Sequence, residues 1–449
     1  MRKPHSLLGT VLGKSFRCSA LVAVVLAMLP VGDVAWAGNG PEGNEGVADR
    51  GAVRLLKTVP IPGTAANTTN GKLYAFDISF VDQSTQTYYL ADRSNAVVDV
   101  VDAETGTFVK QIAGGFKGVA VVSGVVQNGQ SGPNGVVAAF PWLFVTDAAS
   151  RVVTIDLRSD TVVGHVSTGG ADNFRADELA YDPKDGLLLV VNNADTPPFA
   201  TLIKVNKANG QLTVGKRITF DAAHGVDATN GAEQPVWDPG TRRFFLSIPQ
   251  IGPHEKDGGV VRIDPNTATV DTTFPVEFCQ PAGLTLGPRQ NLLVGCNTVF
   301  DTAGNVWAPA GTVTAAPKDV ILDVETGRTT DVLGVGAGDE VWFNSGDGNY
   351  YATGSGSPLR PTLSAAAQGA TVLGVIDAED HTLIQLVPTF NVPAVGTGNN
   401  STEHPAGTSH SVAANAKNNQ VFVPLAANNV FPGCLTGCIA VFTRPSKAE

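Results

Sequence analysis

The chemistry within reach of this chain is carboxylate chemistry. Aligning its repeated apolar runs on their turns stacks Asp77, Asp177, Glu233, Asp339 and His410 at one register, interrupted by Ala282. The next register stacks Glu178, Gln234, Glu340 and Ser411, together with Ile78 and Gly283, and Asn134 is the nearest equivalent in the weakest unit. Asp92, Arg93, Asp147, Asn192, Asn193, Asp195, Gln250, Asn297 and Asn428 lie at the far ends of the neighbouring runs. Like charges brought together raise one another's pKa unless a cation sits among them. One reading is therefore a divalent metal on Glu178, Glu233, Glu340 and His410. Oxygen ligands suit Ca²⁺ or Mg²⁺, and a histidine also admits a transition metal. His410 beside Glu340 would then move a proton, and Asp77, Asp177, Asn192, Asn193 and Asp339 would contact substrate. The other reading takes the same acids as strand-start residues that bond the loop backbone or a channel water.

What brings residues so far apart to one place is a repeat. Apolar runs break at an acid or its equivalent and restart with opposite phase, as in VVDVVDAETGTFVKQI from Val97 and VVRIDPNTATVDTTFPV from Val260. The turns fall on Asp102, Asp156, Asn206, Asp264, Asp323 and Asp377, and each reads as strand, tight polar turn, strand. A second hairpin precedes each unit, for example DELAYDPKDGLLLVVNN from Asp177. Four strands per unit and seven units predict an all-β, seven-bladed β-propeller. The final unit has only three strands of its own. Val53–Pro60 supplies the fourth, so an N-terminal strand closes the ring and removes an open edge. Six blades with a stray hairpin is the alternative, because the unit from Asn134 to Asp147 is the least regular. Long inserts such as Gly115–Pro133 and Asn391–Thr408 join strands at or near the face where the acids converge.

The N-terminus carries Arg2, Lys3, Lys14 and Arg17, a short apolar stretch from Ala20 to Leu29, and Ala35-Trp36-Ala37. This pattern is that of a secretory signal peptide over residues 1–37. Residues 38–50 then read as a flexible N-terminus, and 51–445 as one propeller domain. The mature chain holds 26 basic against 40 acidic residues, a poor match for nucleic acid or an anionic membrane. No later segment is long and apolar enough to span a bilayer. The expected product is an exported monomer, periplasmic or secreted. Of the four cysteines left after cleavage, Cys279 starts one strand and Cys296 ends the next, so a hairpin would pair them. Cys434 and Cys438 bracket a Leu-Thr-Gly turn and close a small loop; a zinc site there lacks nearby ligands.

The run PAGLTLGP at Pro281–Pro288, the run HSVAAN at His410–Asn415 and V-D-x-x-T turns such as Val101–Thr105 carry a resemblance. The chain is similar to bacterial YVTN/YncE-like, lactonase-type seven-bladed propellers, in the style of gluconolactonase and streptogramin lyase. The resemblance implies a propeller over roughly residues 50–445. The acid cluster on that scaffold points to a metal-assisted hydrolase or lyase acting on a small, lactone-like molecule at the channel mouth. The Glu-Asn-Asn-Asp metal pattern of gluconolactonase-like enzymes has no clean match here, although Asn192 and Asn193 are suggestive. No nucleophile elbow or phosphate loop occurs. The alternative function is a non-catalytic binding or scaffold propeller of the cell envelope or secretome.

Overall fold

Alternation along the strands decides the architecture, because neighbouring residues of one strand enter two different cores. In the run LLLVVN, Leu188 and Val190 join an apolar cluster with Trp142, Phe144 and Val152. Leu189 and Val191 join another, with Phe244, Leu246 and Val261. Phe245, between Phe244 and Leu246, points the opposite way, towards Leu284, Leu292 and Val320. Sheets whose two faces are both covered need near-continuous apolar strands, and the sequence supplies them.

The computed structural model describes residues 51–68, 71–171, 173–307, 317–336, 338–354, 371–389, 411–428 and 431–444. The expected signal peptide, the flexible N-terminus and His410 lie outside the described residues.

Strand β1 (Arg54–Pro60) opens the described chain but belongs to the last blade. Blade one is β2 (Ser79–Asp82), β3 (Thr87–Asp92), β4 (Val97–Asp102) and β5 (Thr107–Ala113). A small exposed hairpin, β6 (Val121–Val122) and β7 (Val125–Val126), leads to blade two: β8 (Val136–Ala139), β9 (Trp142–Asp147), β10 (Arg151–Asp156) and β11 (Thr161–Ser167). Blade three is β12 (Leu179–Asp182), β13 (Leu187–Asn192), β14 (Phe199–Val205) and β15 (Leu212–Thr219). Blade four is β16 (Pro235–Asp238), β17 (Arg243–Ile248), β18 (Asp257–Asp264) and β19 (Thr269–Glu277). Blade five is β20 (Cys279–Leu286), β21 (Asn291–Val299), β22 (Lys318–Asp323) and β23 (Thr329–Leu333). Blade six is β24 (Gly338–Asn344), β25 (Asn349–Gly354), β26 (Thr371–Asp377) and β27 (Thr382–Thr389). Blade seven is β28 (Ala413–Asn415), β29 (Gln420–Leu425) and β30 (Cys438–Thr443), completed by β1.

These are seven four-stranded antiparallel sheets, so the seven-bladed propeller stands and the six-bladed alternative falls. The unit from Asn134 to Asp147 builds a regular blade after all; its inner hairpin turns in only two residues, Phe140 and Pro141, so it lacks the four-residue turn that marks the other blades in the sequence. Closure is as expected: β1 pairs antiparallel with β30, from Arg54 opposite Thr443 to Pro60 opposite Cys438. Across that seam Val59, Ile61, Leu73 and Tyr88 pack with Phe422, Ile439 and Val441, and the Tyr88 and Phe422 rings stack at 5.0 Å.

One face of the ring is made of tight turns with a shared design. Asp102, Asp156, Asn206, Asp264, Asp323 and Asp377 each accept a backbone N–H two residues on, at 2.8–3.0 Å. Asp82, Asp182, Asp238, Asn344 and Asn415 do the same in the inner hairpins. Four residues after each, the backbone turns left-handed; glycine serves at Gly106, Gly186 and Gly210, whereas His381 and Asn419 bear the strain elsewhere. The periodic acids of the sequence are thus turn-forming side chains. The strands run so that the longer inserts emerge on the opposite face, where the inner strands begin.

Both expected disulfides are present, Cys279–Cys296 with Cα atoms 5.2 Å apart and Cys434–Cys438 at 4.9 Å. Strand β21 runs on past Cys296, which sits opposite Pro281, two residues along from Cys279.

Candidate functional site at the channel mouth

The two registers read from the sequence are real backbone registers. Asp77, Asn134, Asp177 and Glu233 each donate a backbone N–H to the second strand of their own blade, at Ala91, Thr146, Val191 and Ser247. One residue later the carbonyls of Ile78, Gly135, Glu178 and Gln234 accept the return bond. Neighbouring blades are stitched at the same level: Ile78 N donates to Asn134 O, Gly135 N to Asp177 O, and Gln234 N to Ala282 O. The acids therefore converge on one mouth, held by a closed ring of inner strands.

What they meet there is different from the sequence expectation. Two arginines lie among them, Arg93 buried and Arg175 partly buried. Arg93, at the end of β3, bonds Asp77 and donates from Nε to Asn134 Oδ1 at 2.9 Å. Arg175, in the loop entering β12, reaches Asp177 Oδ2 at 2.6 Å and Asp77 Oδ2 at 3.3 Å. Burial works against the charge on Arg175, and the carboxylates of Asp177 and Asp77 outweigh it. The cation that a ring of acids calls for is thus partly supplied by the chain itself. Arg93 was visible in the sequence as a mouth residue without a role. Arg175 fell outside both registers and was missed; its signal is a basic residue two positions before a channel acid.

Glu340 is a brace. It is buried, and its carboxylate accepts from Ser411 Oγ of blade seven, from Gln234 Nε2 of blade four at 3.0 Å, and from Ser79 N of blade one at 3.5 Å. Ser411 Oγ also bonds Ser79 Oγ at 2.8 Å, and Gln234 Oε1 accepts from Leu284 N of blade five. One side chain from blade six thus ties blades one, four and seven across the axis. Burial pushes the Glu340 carboxyl well up, and its bond from Ser411 only partly offsets this.

Glu178 and Glu233 are the free acids. Glu178 is 7% exposed, and among the described residues neither its carboxylate nor that of the half-buried Glu233 makes a hydrogen bond or ion pair. Burial raises both well above the usual carboxylate range; Asp177, Glu340 and Glu233 add to the effect at Glu178, and Asp177 and Asp339 at Glu233. Asp177 is also raised by burial, to about 7, with Arg175 opposing; its Oδ1 is buried without a partner.

The remaining expected contact residues divide. Asn192 is fully buried and committed to the scaffold: Nδ2 donates to Ser150 Oγ, Arg175 O and Asp195 Oδ2, and Oδ1 accepts from Thr168 Oγ1 at 2.7 Å. Asn193 accepts from Arg175 Nε at 3.4 Å, and Asp339 accepts from Asn297 Nδ2 at 3.4 Å. Beside the mouth, between blades three and four, lies a cleft of about 640 Å³ whose wall includes Asn193, Asp195, Asp227 and Glu233. For a metal the fit among the described residues is poor, since no three His, Cys, Asp or Glu side chains come together to hold an ion. The fourth expected ligand, His410, lies outside them.

No family model matches the chain, and no curated protein matches it. Among solved structures it resembles a chain of the Kuenenia stuttgartiensis hydrazine synthase, at 13% identity and TM-score 0.57, over 86% of this chain and 99% of that one. It also resembles a chain in the crystal structure of a mitotic checkpoint complex, at 11% identity and TM-score 0.53, over 93% and 100% respectively. At such identities the likeness is one of fold. No helix among the described residues is long and apolar enough to cross a membrane.

Proposed function

We propose that the chain is an exported binding propeller that receives a small polar organic molecule at its loop-bearing channel mouth. The observation that carries this reading is the division of the acids. Asp77, Asp177 (through Oδ2) and Glu340 are spent on holding blades together, whereas Glu178 and Glu233 have no side-chain partner among the described residues, and Glu233 lines a cleft of about 640 Å³, a volume suited to a small ligand. Rigid scaffolds with grafted loops commonly bind on the loop side. Two disulfides support folding in an oxidising compartment, periplasmic or extracellular. Kinship with the YVTN and lactonase-type propellers is part of the proposal and rests on the PAGLTLGP and HSVAAN runs.

A second reading is favoured by one feature. Glu178 is unpartnered and its pKa is driven up, which suits a carboxyl that donates a proton. In that reading the chain is a hydrolase or lyase on a lactone-like substrate, with Glu178 as the acid; no step is assigned to a metal, because the described residues do not assemble a site for one.

Crystals soaked in small polar probes such as acetamide and propane-1,2-diol test the first reading. Probe density should gather at Glu178 and Glu233; density confined to the turn face would refute it. Hydrolysis of δ-valerolactone that is abolished by Glu178→Gln would favour the second reading, and equal rates in the two proteins would dismiss it.

A further inference from the structure

Each blade ends in an outer strand with a free edge, and free edges invite pairing by other chains unless something breaks them. In this ring the break is a β-bulge, which leaves a residue unpaired and bends the row of backbone donors and acceptors. Leu56, Val109, Val163, Asp271 and Ile384 are the extra residues, each third in its strand. In blade three the slip falls slightly later, at Gly215 and Lys216 against Leu202. Blade five has none: β22 and β23 pair without a shift, from Lys318 opposite Leu333 to Leu322 opposite Thr329. Strand β23, Thr-Thr-Asp-Val-Leu, also lacks the lysine or proline that can blunt an edge.

The ladder fixes which backbone groups are free. Arg328 O accepts from Asp323 N, and Gly334 N donates to Pro317 O, each at 2.9 Å. Residues of an antiparallel strand bond alternately to one side and the other, so Thr330 and Val332 also bond β22. Thr329, Asp331 and Leu333 therefore turn their N–H and C=O groups along the open edge, and all three are exposed. Their side chains share the face towards blade four, where a groove of about 330 Å³ lies between the blades. Pro275 and Phe278 give it an apolar wall, and Lys318 within it is held by Asp331 at 3.0 Å. Glu277 lines it too, exposed, and among the described residues its carboxylate makes no hydrogen bond or ion pair. The other face of β23 is closed, because Val332 packs with Val341 and Tyr350 of blade six.

An extended peptide added at this edge would meet an unbroken row of donors and acceptors, and every second side chain would hang over the groove. A second copy of the chain fits badly. Two β23 strands paired with all three outward residues in register place Asp331 opposite Asp331, and like charges directly opposite repel. The unpaired Glu277, beside a lysine already neutralised, selects a basic residue instead. We infer that the outer edge of blade five docks an extended segment of a protein partner as a fifth strand, with a lysine or arginine in the groove against Glu277. The edge stands on the outer rim and does not depend on the ligand proposed for the channel mouth.

Phage display of random linear dodecapeptides against the immobilised mature protein tests it, with fluorescence anisotropy of the selected peptides after synthesis. The selected sequences should alternate β-branched residues with at least one lysine or arginine. Their Kd should rise about tenfold or more in Leu333→Pro and in Glu277→Lys. Proline at that edge position removes an outward N–H and no bond to β22, so the blade should persist. If Leu333→Pro does not fold, Glu277→Lys at its exposed site decides alone. No enriched peptide, or equal Kd in the wild type and both variants, would overturn the inference. Binding that Leu333→Pro leaves intact would overturn the added strand, and binding that Glu277→Lys leaves intact would overturn the basic residue. A dimer in sedimentation velocity that Leu333→Pro dissolves would assign the edge to a second copy and overturn the partner.

Discussion

Arg175 and Asp77 meet at the channel mouth, Nη1 to Oδ2 at 3.3 Å, although 98 positions separate them in the chain. The contact passes over blade two and joins blade three to blade one. Because Arg175 also holds Asp177, one guanidinium neutralises carboxylates from two blades inside a site with little solvent. Removing one partner of a buried ion pair strands the other charge, at a cost of about 3–5 kcal/mol. Arg175→Met should therefore lower stability by about that amount in urea unfolding, and Arg175→Lys should recover only part of it, since a single ammonium nitrogen lacks the two separated donor nitrogens that reach Asp77 and Asp177.

Glu340 makes the opposite prediction to that of a catalytic acid or metal ligand. Its neighbours are two hydroxyl or amide donors and one backbone N–H, and an amide of the same shape can occupy the place. Glu340→Gln should change stability by about 1 kcal/mol or less, while Glu340→Ala leaves Gln234 and Ser411 without an acceptor and should cost about 2–3 kcal/mol. Paired chemical denaturation of the two variants checks this. Equal, large losses would mean that the charge, and not the brace, matters.

The Cys279–Cys296 bridge closes a loop with a sequence separation of 17 and pins the first hairpin of blade five. Its removal by a double serine substitution should cost about 3 kcal/mol; loss of Cys434–Cys438, with a separation of 4, should cost less. Thermal unfolding of the two double variants gives the order directly.

Several buried carboxyls give stability a pH slope of known sign. Burial pushes Asp92 up to about 6 and Asp319 up to about 7, and holds Asp99 well above its ordinary value beside Asp92. A folded pKa above the unfolded one means that the folded state keeps a proton the unfolded chain releases. The contribution is full below about pH 4 and is lost as pH rises through 6–7, by roughly 2–4 kcal/mol per fully buried group. Turn acids are shifted down, Asp102 chiefly by the backbone N–H of Thr105 and Asp323 chiefly by the Thr326 side chain, and act the other way, losing their contribution only as pH falls below the usual carboxylate range. Unfolding free energy should therefore fall between about pH 4 and 7, and Asp319→Asn should flatten that slope.

Much of the ring was legible because its signals are local and periodic. The turn acids recur at one position of each hairpin, and the apolar strands between them alternate towards two cores. The unpaired run at Val53–Pro60 matched the missing last strand, and the cysteines were placed by their hairpin. The mouth was legible only as a list of positions. Alignment put Glu340 at the correct register but could not say that Gln234, Ser79 and Ser411 would close on it from three blades. Arg175 eluded the alignment because a long side chain in a loop finds its partner through space, with no period to betray it. Asn192, expected to touch a ligand, turned out to be saturated by backbone and side-chain bonds that only the folded loops create.

Glu178 and Glu233 are held free to meet a ligand while their neighbours hold the ring. This is tested most directly by thermal unfolding of the wild type and of a Glu178→Gln, Glu233→Gln double variant against a panel of small polar amines, amides and polyols. A ligand that binds the folded state raises Tm by mass action. At least one compound should raise the wild-type Tm in a saturable manner, and the same compound should leave the double variant unmoved. Equal shifts in both proteins would contradict it.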